Sequence, residues 1–106
     1  MTLEEAAHLA TKAGEEYGEY VNRIKENDLL LKNLVSAQIC TLGDGPVTKL
    51  DHLARNTYEY KQLSRTVSKD YREHGRRKMA YESACRIWET IRSEMADKRN
   101  ERKHFG

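Results

Sequence analysis

The chain has 106 residues, 34% of them charged, with 19 Lys and Arg against 17 Asp and Glu for a formal net charge of +2. That length allows one core-bearing domain and no second. The longest aliphatic run, Leu29-Leu30-Leu31, is far short of the roughly 18–20 residues that cross a bilayer. Glu4 and Glu5 stand where an export signal carries bases, and two cysteines do not make a disulfide scaffold. A cytoplasmic protein with reduced thiols and no membrane association is expected. Leu, Ile, Val and Phe supply only nineteen residues, so Ala, Tyr and the single Trp must carry much of the apolar surface.

Thr2-x-x-Glu5 is a capping box that opens a helix. On a 100° wheel, Leu3, Ala6, Ala10, Ala13, Tyr17, Val21, Ile24, Leu31 and Val35 share one arc of about 80°, and the glutamates lie across from it. Gly14 beside that face permits close approach of a neighbouring helix. Asn27-Asp28 is a candidate interruption. The segment Thr41-Leu42-Gly43-Asp44-Gly45-Pro46 is the strongest break in the chain, with two Gly and a Pro supplying turn geometry.

Thr48-x-x-Asp51 is a weaker cap for a second helix, which Leu50, Leu53, Thr57, Tyr60, Ser64, Val67 and Tyr71 carry to His74-Gly75. There a glycine in the left-handed region would close it. Ala80, Ala84, Ile87, Trp88, Ile91 and Met95 form a further apolar face, rotated by roughly 120° from the preceding one if the helix runs straight. The chain therefore either turns or kinks near Gly75 or meets two different neighbours, and a turn or kink is the preferred expectation. The predicted fold is all-α: a bundle of three to four helices built on a long helical hairpin, with residues 1–97 as one domain and 98–106 as a charged flexible tail.

Charge is distributed unevenly, at −4 over residues 1–28 and +5 over residues 51–106. Lys61, Arg65, Lys69, Arg72 and Arg76 share an arc with Tyr58 roughly opposite the apolar face, with Glu59, Asp70 and Glu73 flanking them. Such a stripe suits an acidic protein surface, a run of phosphates, or plain solvation. Candidate helix-turn-helix turns at Gly14, Gly18 or Gly75 place Glu or Tyr where a small or apolar residue must pack, so no base-reading motif accompanies it.

Glu16 and Glu19 stand at i, i+3, a spacing at which carboxylates can share a Mg²⁺. The segment Glu15-Glu16-Tyr17-Gly18-Glu19 resembles the first metal-binding helix of the all-α MazG-type nucleotide pyrophosphohydrolases. Thr41-Leu42-Gly43-Asp44 stands where that family carries a Glu-Leu-Gly-Asp string, so the first acid of its second pair is absent. The resemblance implies a Mg²⁺-dependent nucleotide hydrolase, whereas the residues themselves read as a solvated acidic face. His8, His52, His74 and His104 have no metal-ligand spacing with Cys40 or Cys85,, and no cofactor or metal is expected. The function that remains is a small non-catalytic binding protein, namely an adaptor, assembly factor or inhibitor. It would act on an acidic protein surface through Tyr58, Lys61, Arg65, Lys69, Arg72 and Arg76, and self-associate into a homo-oligomer. Nucleic-acid binding through the same stripe is the alternative, and the MazG-like hydrolase is third.

Overall fold

The computed structural model describes residues 1–105, and the side chains of residues 1–102. It is all-helical: α1 spans Leu3–Leu42, α2 Val47–Arg55 and α3 Tyr58–Phe105, with no strand among the described residues. The charged segment from Lys98 to Phe105 forms the last turns of α3; Gly106 lies outside the described residues. The chain divides into two compact units, one formed by Met1–Glu19 with the chain from Gly75 onward, the other by Tyr20–His74.

Each helix boundary has a local cause. The Glu5 backbone N–H donates to Thr2 Oγ1 at 3.1 Å, which satisfies one of the orphan donors of the first turn. α1 ends at Leu42, and Gly43 takes the left-handed backbone at φ 86°, a conformation that costs glycine little. Pro46 precedes α2 with no side-chain cap, so Thr48 lies inside the helix rather than capping it. The second helix also stops sooner than the sequence pattern suggests. Asn56 closes α2, the Thr57 hydroxyl donates to Ala54 O at 2.8 Å, and Thr57 Oγ1 in turn accepts from the Tyr60 N–H at 3.3 Å. One threonine thus ends α2 and caps α3.

In the unit formed by the two ends of the chain, Leu3, Ala6, Ala10, Ala13 and Tyr17 of α1 are all buried or half-buried, as are Arg77, Tyr81, Ala84, Trp88 and Ile91 of α3. Both sets step by three and four residues alternately, the a/d spacing of a coiled coil. The segments run antiparallel. Glu16 Oε2 accepts from Arg77 Nη1 at 2.8 Å, the Tyr17 and Tyr81 rings lie 5.9 Å apart, and Leu3 shares a surface with Ile91 and Met95. A Cβ on Gly14 would meet the Tyr81 ring at 3.6 Å, so this glycine does face a closely packed neighbour. Trp88 is only half-buried, with the Arg92 guanidinium 4.9 Å from its ring.

In the second unit the same spacing gives Tyr20, Ile24, Asn27, Leu31, Leu34 and Gln38 on α1, and Tyr60, Leu63, Val67, Asp70 and His74 on α3. Here α2 adds a third helix, burying Leu50 and Ala54. Asn27 and Asp28 do not interrupt α1. Asn27 Nδ2 donates to Asp70 Oδ2 at 2.6 Å, and the Tyr71 hydroxyl donates to Asp28 Oδ1 at 3.3 Å. The pair that resembles a break is a polar layer between two helices.

The expected turn at Gly75 is absent. Residue 75 lies inside α3, and Gly43 is the only described glycine with positive φ. The reason lies in the period of the pattern. A seam with a 3.5-residue repeat drifts by about 20° per heptad on a 100° wheel, so the apolar face rotates steadily along an unbroken helix. Tyr71 and Ile87, 47% and 39% exposed, flank the seam rather than belong to it, whereas Asp70, His74 and Arg77 are half-buried on it and Leu50 and Leu53 belong to a separate helix.

A Cβ at residue 75 would meet nothing within 4 Å. Gly75→Ala is therefore expected to stabilise the protein by about 0.5–1 kcal/mol, the helix-interior difference between the two residues. Chemical denaturation measures it, and a loss of stability would restore the left-handed cap. Asn27→Ala strands the half-buried Asp70 carboxylate and should cost about 1–3 kcal/mol. Replacing both Asn27 and Asp70 with Leu should recover that loss, because an apolar pair leaves nothing unsatisfied.

Candidate binding face

The stripe residues fall on one side of α3 in the second unit because the opposite side is taken up by Leu63, Val67 and Asp70. Tyr58, Lys61, Arg65, Lys69 and Arg72 are all exposed, Tyr58 at 73%. Lys61 to Arg72 covers about 17 Å at 1.5 Å per residue. Gln62, Ser64, Arg65, Thr66, Ser68, Lys69 and Arg72 line a shallow depression along this side, so amide and hydroxyl groups alternate with the charges. Arg76 is also exposed but belongs to α3 of the other unit, and it has an interaction of its own within the chain.

Partners separate these cations from other arginines of the chain. Arg55 Nε lies 2.9 Å from Asp51 Oδ2 and its Nη1 donates to the Tyr60 hydroxyl at 3.2 Å. The Asp51 hydrogen bond and charge hold the Arg55 guanidinium above its ordinary pKa. Arg77 is bound to Glu16. The side chains of Lys61, Arg65, Lys69 and Arg72 have no hydrogen bond, ion pair or ring contact among the described residues. Of the flanking acids, Asp70 is committed to Asn27 on the opposite side of the helix, and Glu73 is half-buried and also has a partner. Of these three acids, only Glu59 is exposed with no partner among the described residues, so the field of the stripe is weakened less than the sequence order implies.

The acidic residues of α1 do not assemble a metal site. Glu16 is held by Arg77, Glu19 has its own interaction, and Asp44 lies in the loop between α1 and α2. Among the described residues no group of three or more His, Cys, Asp and Glu side chains converges on a common point. No described helix is long and apolar enough to cross a membrane. Cys40 is exposed and Cys85 half-buried, both as free thiols.

Tyr71, next to Arg72, has its phenol pushed above the ordinary value of 10 by partial burial first and then by the Asp28 carboxylate. A raised pKa in the folded state means the neutral phenol is favoured by folding. The associated stability is full below pH 10 and is lost as pH rises through the raised value. Tyr81 is raised as well, by its hydrogen bond with Cys85 first, so ultraviolet titration should show two late phenols, of which the Tyr71 component disappears in Tyr71→Phe and moves towards the ordinary range in Asp28→Asn. An unchanged titration in Asp28→Asn would exclude the carboxylate as a cause.

Comparison with known protein families, with curated protein sequences and with solved structures gives no match for this chain.

Proposed function

We propose that the protein is a non-catalytic helical binding module, working in the cytoplasm as an adaptor, assembly factor or inhibitor. It docks on an acidic surface of a partner protein through Lys61, Arg65, Lys69 and Arg72, with Tyr58 at one end of the face. One observation carries this reading: four exposed cations on one helix side lack partners among the described residues, while Asp70 is turned to the opposite side. Docking against carboxylates releases no internal ion pair, so attraction is gained without breaking contacts. Such fields act mainly on the association rate and are weakened by salt. The exposed Tyr58 ring supplies apolar contact area, as tyrosines do in many interfaces.

Reversal of Lys61, Arg65, Lys69 and Arg72 to Glu should leave the helical circular dichroism intact, since surface substitutions shift stability by about 0.5 kcal/mol or less each. The reversed protein should lose the partners that the native protein captures from its host, with slower association as the main defect. Phosphate binding makes a different forecast. Four backbone contacts on duplex DNA give a log–log salt slope of about −3.6. Salt-sensitive, submicromolar binding to random duplex at about 150 mM salt, lost on reversal, would replace the protein partner with nucleic acid. The proposal also predicts no Mg²⁺-dependent release of pyrophosphate from nucleoside triphosphates. Turnover abolished by Glu16→Gln and Glu19→Gln would overturn it.

A further inference from the structure

Within the unit formed by the two ends of the chain, one side of the α1–α3 pair is an open groove. Leu9 and Ala13 of α1 and Ala80, Ala84 and Ile87 of α3 line it, together with Ser83, Lys12 and Glu16. Leu9 and Ile87 are each 39% exposed, and among the described residues of the unit just Ala6 and Ala84 are buried. Two alanines make a thin core for a two-helix unit. Their small side chains bring the helices close together but remove little apolar area from water. The larger side chains that could supply that area stand at the groove edges, still wet.

We infer that this groove is the interface of a homodimer, in which the same face of a second copy packs against it to complete a four-helix arrangement. The charges favour a second copy over an unrelated chain. Among the described residues, Lys12 and Glu16 are the only charged ones lining the groove, and they stand one helical turn apart on α1. A two-fold axis that lays two α1 helices antiparallel brings Lys12 of each copy to Glu16 of the other, the reciprocity an isologous interface requires. Lys12 is exposed and has no partner among the described residues, and Glu16 gives only Oε2 to Arg77.

Sedimentation velocity on the full chain tests this. At about 100 µM the wild type should sediment as a dimer with micromolar affinity. Leu9→Glu combined with Ile87→Glu should give a monomer that keeps its helical circular dichroism. Should that variant lose its helical signal, the exposed Lys12→Glu decides: it sets like charges against each other across the two-fold and should weaken the dimer about tenfold or more. A monomeric wild type, or a dimer equally tight in Lys12→Glu, would overturn the assignment. Charge reversal of Lys61, Arg65, Lys69 and Arg72 should not change the mass, so loss of the basic-face reading and loss of the dimer are separable outcomes.

Discussion

The alternation of three- and four-residue steps along α1 and α3 is the constraint on which the rest of the structure depends. In each unit it decides which side chains the two helices give to each other and which they leave to water. Because the steps average less than a full 3.6-residue turn, the buried face migrates around each helix with no break in the helix itself,. Gly75 is therefore an ordinary interior residue of α3, at a modest cost in helix propensity. The basic face of the second unit is a consequence of the same seam. With Leu63, Val67 and Asp70 turned towards the neighbouring helices, Lys61, Arg65, Lys69 and Arg72 have no choice but to face outward.

Polar side chains within the seam give it register. A run of Ala and Leu tolerates sliding by a heptad, whereas the hydrogen bond between Asn27 and Asp70 forms in one alignment only. The Gly14–Tyr81 contact acts in the same sense by shape, since the ring needs a position without a Cβ in its way. In the unit formed by the chain ends, alanine at the seam trades apolar area for close approach, and Leu9 and Ile87 remain at its edges. In the other unit, α2 covers part of the pair with Leu50 and Ala54.

The all-helical class, the Thr2 cap, the Gly43–Pro46 connection and the exposure of the basic stripe were all legible in the sequence, because each rests on a short local signal. The seam was less so. Asn27, Gln38, Asp70, His74 and Arg77 occupy seam positions without being apolar, so a search for apolar faces passes over them and takes up flanking residues such as Tyr71 and Ile87. The break at Asn56-Thr57 was missed because Leu53, Thr57 and Tyr60 happen to keep helical spacing across it. A threonine followed by Glu59 in the first turn was the available signal. Nothing local could show that Asp70 faces away from the stripe, since its direction is set by Asn27, forty-three residues away.

Amide hydrogen exchange across residues 72–83 tests the uninterrupted seam most directly. In a continuous α3 the N–H groups of Arg76, Arg77, Lys78 and Met79 donate to carbonyls four residues back, and they should exchange as slowly as the amides on either side. A helix that ended at Gly75 and restarted would leave these donors without intrahelical acceptors. Exchange at close to unprotected rates, confined to those residues, would contradict the account.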